Sequence, residues 1–566
     1  MAQAHTAQAL RKPTPGALPV VDRSWLQAMS THILLFLALA LPAFATDCGE
    51  GLCRAVAADG NEVPMNLVQK QSQTLLHKQK LGHDDDAGGS MPGTSSRSVA
   101  SRQEPPAAAS GSSRYYWPHA RGHPGSYSVT QYTAPQDLNA SLRWFWQHED
   151  GRYHTTVIGV PLLDDRENIY LASEDGIRKF SPDGQVLWHY KPPASMVSSA
   201  SLMDGALYGN SQDGHAFALD MESGKAIWIK KYATETGGDT AYVEALDGIV
   251  VTAMGRAKLD GGNKKVMGLN ATNGEKVWDY VPEVGVWNFM PVFPGDGSLV
   301  FMDWTGGVYR LDLQTGTELW HTTPPAKSIN SFTDGGVILG PDGTAYTCSN
   351  LKDRGSEGTA GVLRAYHLGN GSHFWAKHLE YPCNSWPAVA GDTVVVATGP
   401  FVSLPPTAPW LWAVPSVQKG IHQVSQTLGS SQRSFNGHNN LPAAVIAFNA
   451  RTGEQLWRYE LPHYGREAAA GDEEGILVRT RLGIRAFCLP AQWNSPTISG
   501  DGTVYLGRAS GMLYGIRAME DGHVEEASKF NAHSGFLHPG TAWGPSTMAV
   551  ATCDRLYVFR TTQGQQ

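Results

Sequence analysis

The chain has 566 residues, 41% of them hydrophobic and 17% charged, a balance that allows several small domains or one large all-β domain with extensions. A formal charge of −8 without a clustered Lys/Arg stripe excludes a general nucleic-acid binder. Its 62 glycines and 34 prolines suit a turn-rich chain rather than a helical one.

In chain order, "ILLFLALAL" (33–41) is too short to span a bilayer and is followed by "AFA" (43–45), small residues of the kind a signal peptidase needs. Residues 1–45 are read as a secretory signal cut after Ala45, with Met29 a possible true start and a retained signal anchor the alternative. Cys48 is not a lipid anchor, because Asp47 stands where that signal needs a small residue. Residues 46–135 are poor in periodic apolar pattern and are read as a disordered polar, Pro/Gly/Ser-rich segment. The Gly/Ser/Pro/Ala-rich stretch 83–113 is read as a disordered stalk, and ordered sequence is expected from "ASLRWFW" (140–146).

From there short β-like runs alternate with turn signals. "GALYGNSQDGHAFALDMESGKAIWIKKY" (205–232) gives strand, turn, strand, turn, strand. The order recurs in 168–190, 298–322 and 444–460. Six turns carry a glycine followed four residues later by tryptophan: Trp188, Trp228, Trp278, Trp320, Trp375 and Trp457. A period near forty residues with four short strands predicts an all-β, eight-bladed propeller of four-stranded antiparallel blades over 140–560, with a tail at 561–566. Inner hairpins number nine if "GILVRTRLGIRAFCLP" (475–490) is a truncated blade. The glycine is assigned to a tight hairpin between third and fourth strands, and the tryptophan to the wedge between blades. "LRWFW" has no inner strands before it, and "MAVATCDRLYVFR" (548–560) has no outer strand after it. The two halves are expected to form one blade and close the ring, removing exposed edges.

"AFNARTGEQLW" and "ALDMESGKAIW" resemble the repeat A-x-D-x-x-T-G-x-x-x-W of the quinoprotein alcohol dehydrogenase-like family, whose repeats take their name from pyrroloquinoline quinone (PQQ). The resemblance implies the propeller fold. It leaves two functions open, because the superfamily includes non-catalytic scaffolds such as the bacterial outer-membrane assembly propeller. Its dehydrogenases carry a vicinal Cys–Cys disulfide, a calcium ion and an aspartate base. This chain has no adjacent cysteines, no residues matching the calcium ligands or the base, and no CxxCH haem motif. A non-catalytic scaffold for a protein, peptide or small ligand is therefore expected, with no cofactor; a PQQ- and calcium-dependent oxidoreductase is the alternative. "EDGHVEE" (520–526) reads as a polar hairpin rather than a calcium loop, and "HEDGRYH" (148–154) as a loop with two histidines.

The innermost strands start alike, in "VWNFMP" (286–291), "CNSWP" (383–387), "QWNSP" (492–496) and "AWGP" (542–545). Trp287, Asn288, Asn384, Trp386, Trp493, Asn494 and Trp543 are candidates to ring one mouth of the channel; packing between blades is the competing reading. Residues 401–440 interrupt one blade as a long insertion. Six cysteines in a secreted chain predict disulfides. Cys348 ends a second strand and Cys383 starts the next innermost strand, so a Cys348–Cys383 bond is expected, while Cys488 is not expected to reach Cys553. Asn139, Asn270 and Asn370 lie in N-x-S/T sequons and are glycosylation candidates.

Overall fold

The computed structural model describes residues 114–125, 128–237, 242–256, 262–323, 336–340, 342–350, 360–383, 385–400, 441–464, 469–485, 493–519 and 521–561. The signal, the stalk, the insertion, Cys48, Cys53, Asn384 and Cys488 lie outside these residues. So does all but the first residue of the tail.

The described strands form eight antiparallel sheets, and blades are numbered here in chain order. Blade 1 spans 162–190, blade 2 spans 201–231, and blade 3 spans 244–280. Blade 4 has three full strands in 298–322, with the single bridge of Val292 to Val300 in the innermost place. Blades 5, 6 and 7 span 338–379, 388–464 and 497–531. Blade 8 is composite. Its three inner strands are Phe536–Trp543, Thr547–Thr552 and Leu556–Arg560, and Leu142–Trp146 is its outermost strand, with Phe145 opposite Tyr557. The expected clasp is thus present.

Second and third strands are buried almost throughout, as Ile169–Ser173 and Gly176–Phe180 illustrate. Outermost strands alternate between exposed and half-buried positions. Such strands read as apolar runs flanked by amphipathic ones because only the outermost strand of each blade meets water.

The repeat motif works between blades as well as within them. Its glycines have positive φ, from +66° at Gly224 to +88° at Gly184. Each also lies under the tryptophan of the preceding blade. A Cβ at Gly224, Gly274, Gly316 or Gly371 would stand 2.5–2.6 Å from the rings of Trp188, Trp228, Trp278 or Trp320. At Gly453 it would meet Trp375, and at Gly184 it would meet Trp144, the clasp strand's own tryptophan. The indole Nε1 then donates to a carbonyl of the same neighbouring turn, as in Trp228 to Ala271 (2.9 Å), Trp278 to Leu313 (2.9 Å) and Trp144 to Pro182 (2.9 Å). Six seams share this interlock. It is missing between blades 6 and 7, where a Cβ at Gly522 would meet nothing within 4 Å. Between blades 7 and 8, Ser528 stands opposite Gly515 where the other blades place tryptophan. There the short helix Leu138–Ser141 packs against the outermost strand of blade 7, its Leu138 fully buried and its N-terminus capped by Asp137.

Two expectations need correction. Residues 472–482, read as part of a truncated hairpin, form an α-helix, Asp472–Leu482, capped at its C-terminus by Gly483 with φ +70°. The ring therefore has eight blades, and the strand placement assigned to Cys488 loses its basis. Cys553 is disulfide-bonded. The helix belongs to the connection from blade 6 to blade 7 and reaches across the clasp. Ala470 donates to Ala509 of blade 7 and accepts from Gly535, Arg485 N donates to Glu174 of blade 1, and Tyr153 packs on Gly475. Inside it, buried Arg479 pairs with Asp472 at 2.6 Å.

The second correction concerns 114–135, placed by composition in the disordered segment. The described part of this stretch is built into the propeller, with Tyr115, Trp117, His119, Ala120 and Arg121 all at most 2% exposed. Local periodicity could not reveal it, because its partners are the innermost strand edges of blades far along the chain.

Candidate functional site

The upper face of the ring is defined here by the starts of innermost strands, the lower face by the hairpins that join first to second strands. The disulfide lies at the upper face. Cys348 and Cys383 have Cα atoms 5.8 Å apart, within the span such a bond requires, and join blades 5 and 6 as expected. Cys383 N also donates to Asn350 Oδ1.

The axis is occupied by the chain's own segment. His119 and Gly122 exchange both backbone hydrogen bonds (3.1 Å each), so Ala120 and Arg121 form the tip of a tight hairpin. On one limb, Trp117 and Leu163 of blade 1 exchange backbone bonds of 3.0 Å, and Leu202 of blade 2 donates to Pro118 O. On the other, Phe293 before blade 4's inner edge donates to Pro124 O. Further along, Ile498 of blade 7 donates to Ser128 O and accepts from Thr130. The inner edges supply these groups because an innermost strand has no neighbour on its axial side.

Charged side chains complete the fit. His119 Nδ1 pairs with Glu244 at the start of blade 3's inner strand, both buried. Burial raises the Glu244 pKa above the ordinary carboxylate value, and the imidazole partly opposes this. Arg121 Nη2 donates to Pro387 O of blade 6 (2.7 Å) and Pro496 O of blade 7 (3.1 Å). Burial pulls its pKa down to about 9. Above this tip Trp386 meets Tyr242 edge-on at 5.5 Å, from connections preceding blades 6 and 3. The axial core therefore mixes hairpin residues Tyr115 and Ala120 with Tyr242, Met290 and Trp386.

The proposed mouth residues divide. Trp287 and Asn288 precede blade 4 and are half-exposed, Asn288 with φ +42°. Trp386 and Trp493 precede the inner strands of blades 6 and 7 at the upper face, but are 1% and 2% exposed. Trp386 N–H donates to Ser495 Oγ, and Trp493 Nε1 donates to Thr398 O with Arg508 over its ring. Asn494 is fully buried and accepts from Gly507 N. Trp543 is not at a strand start. Its strand begins at Phe536, carries an irregularity before Thr541, and ends at Trp543 on the lower face, against Tyr505. These buried indoles offer no face to a ligand. The residues that sequence reasoning missed are His119, Arg121 and Glu244; the one available signal was the aromatic and basic run "YYWPHARGHPG" directly after a Ser/Ala/Pro tract.

Elsewhere, His148 and His154 stack at 6.1 Å. Asp175, 3.6 Å from His148, is held in a two-point pair by Arg178, which occupies the position a cation would take. Among the described residues no group of three or more His, Cys, Asp or Glu is placed to hold a metal ion. Among the described residues the axis is occupied by Tyr115, His119, Ala120 and Arg121. Asp521 accepts from His523 N in the polar turn of blade 7, within "EDGHVEE". Asn270 Oδ1 and Asn370 Oδ1 accept turn amides, and Asn139 lies exposed on the short helix.

On the outer wall, the residue before each motif tryptophan is exposed and mostly apolar: Leu187, Ile227, Val277, Leu319, Phe374 and Leu456, all 45–52% exposed. They form a belt on six successive blades, along strands whose outer edge is unpaired in its sheet.

A family model described as outer membrane protein assembly factor BamB matches residues 144–322. A BamB of Nitrosomonas eutropha is 30% identical over 190 residues, 32% of this chain and 43% of that protein. A BamB of Burkholderia pseudomallei is 26% identical over 263 residues, 44% of this chain and 61% of the relative. The chain thus spans about half the length of the curated relatives it matches. Among solved structures, the quinohemoprotein alcohol dehydrogenase from Comamonas testosteroni has a TM-score of 0.52 at 12% identity, covering 80% of this chain and 81% of that one. A europium-containing methanol dehydrogenase has a TM-score of 0.52 at 12% identity, covering 78% and 98%. At that identity the likeness is one of fold.

Proposed function

We propose that this PQQ-repeat propeller is a secreted, non-catalytic scaffold that binds a protein or peptide partner. The observation that carries the reading is the filled axis: His119, Ala120, Arg121, Tyr242 and Trp386 occupy the space over the inner strands where an axial ligand would lie. The assembly-factor relatives support a protein-binding role, and the apolar belt offers a surface for it. Among the described residues no helix is long and apolar enough to cross a membrane. Half-exposed Trp287 and Asn288 remain candidates for ligand contact at the upper face.

The oxidoreductase alternative rests on fold alone. The test adds PQQ and calcium to purified protein, then reads quinone absorbance and dye-linked oxidation of alcohols and sugars. No retained absorbance and no turnover are expected, with a partner captured from the native extracellular fraction. Stoichiometric quinone and turnover would replace the scaffold reading.

A further inference from the structure

The hairpin at the axis has the geometry of a bound ligand. It joins inner strands as an added strand does, through backbone bonds to blades 1, 2 and 4, and its side chains Tyr115, His119 and Arg121 each find a polar partner on the blades. Arg121 reaches the carbonyls of Pro387 and Pro496, His119 faces Glu244, and Tyr115 Oη accepts from Gly205 N (2.7 Å). Both ends of the segment leave by the lower face. Gly205 belongs to the first hairpin of blade 2, and Gly500, which donates to Tyr132 O, to that of blade 7. Withdrawal therefore requires no threading through the ring. The fit is incomplete: Trp117 Nε1 is buried without a hydrogen-bond partner, as is Ser201 Oγ on the channel wall. Such unmet polar groups weaken the hold of a buried segment relative to one in water.

We propose that the axial channel is a peptide-binding site, entered from the lower face and held shut by residues 114–125, which act as an intramolecular ligand. The partner it fits is an extended polypeptide carrying an aromatic residue followed by a tight turn with arginine at its tip. This inference rests on the scaffold reading and adds the site and the chemistry of its occupant.

The test uses the full-length protein and a labelled synthetic peptide of residues 115–125. Fluorescence anisotropy is expected to show saturable binding, and the same peptide with Arg121→Ala is expected to bind at least about tenfold more weakly. Placing Arg121→Ala in the protein instead loosens the internal plug and is expected to tighten peptide binding about tenfold or more. In parallel, trypsin cleavage of the wild-type chain between Arg121 and Gly122 is expected to accelerate when peptide is present. Absence of binding by the folded wild-type protein, with Arg121 resisting trypsin up to the melting transition, overturns the proposal. The wild-type arm decides alone if the protein variant fails to fold. Partner capture by a protein that ignores the peptide would leave the scaffold reading standing while removing the channel site.

Discussion

A glycine and a tryptophan of the repeat carry two separable costs. Gly316 has φ +68° and lies under Trp278, whereas Gly522 has φ +82° and would meet nothing. Left-handed backbone costs a residue with a Cβ about 1–2 kcal/mol, and overpacking adds about 1–3 kcal/mol. Gly522→Ala is expected to show the first cost alone and Gly316→Ala both, with the difference read from urea melts. Equal losses would mean the indole yields freely. Carboxylates in such turns and on the outermost strands set an acid limit. Hydrogen bonds from Ser223 hold the Asp220 pKa low, those from Arg166 and Lys179 hold Glu222 low, and Lys276 holds Asp279 low. Their folded values lie below the unfolded ones, so their contribution is present above the ordinary carboxylate range, near pH 4, and is lost as pH falls through the folded values. The melting temperature should be level from pH 7 to about pH 5 and decline below about pH 4. Asp220→Asn should flatten part of that decline while keeping the turn, since Asn270 accepts the equivalent amides in blade 3.

Elements that staple blades together should matter more than those within one blade. Cys348→Ser is expected to cost roughly 2–4 kcal/mol in urea melts, and reduction of the native protein, which also opens the bond of Cys553, should destabilise it at least as much. Arg479 and Asp472 are both buried in the helix across the clasp. Arg479→Ala strands the carboxylate and should cost about 3–5 kcal/mol; a calorimetric scan matching wild type would show that the helix does not support the ring. These elements were unequally legible. Blade strands announce themselves through glycine turns and tryptophans four residues later, signals contained in six residues. The interlock between blades explains why the spacing persists, but needs the ring to be seen. "GILVRTRL" resembles an inner hairpin in its apolar content, whereas in the structure it is a helix ended by Gly483, with Arg479 set against Asp472 and Tyr153. "YYWPHARGHPG" has neither strand nor helix period, so its burial depends on strand edges hundreds of residues away. The mouth was misread at Trp543 because proline and glycine after tryptophan looked like a strand start when they form the turn after a strand end.

At the scale of the whole molecule, the clasp makes the termini interdependent. Deleting 548–566 removes most of two strands of blade 8 and leaves Leu142–Trp146 without its partner. A loss beyond about 4–5 kcal/mol is expected, the range reserved for changes to a central feature; a truncated chain that melts like the full one would count against the clasp. The same geometry fixes an order of events during synthesis. Arg555 bonds Gln147, 408 positions earlier in the chain, so the first blade strand to leave the ribosome is among the last to find its place. Blades 1 to 7 can form as they emerge, blades 2 to 6 each locking under the tryptophan of the blade before, but the arc they make stays open. Through that interval "LRWFW" carries an unpaired edge and three aromatic rings in water, a template for strands of other nascent chains. Closure is a long-range step with a correspondingly slow rate. Crowded expression should therefore yield exchanged dimers through this strand, while slow expression favours the closed monomer.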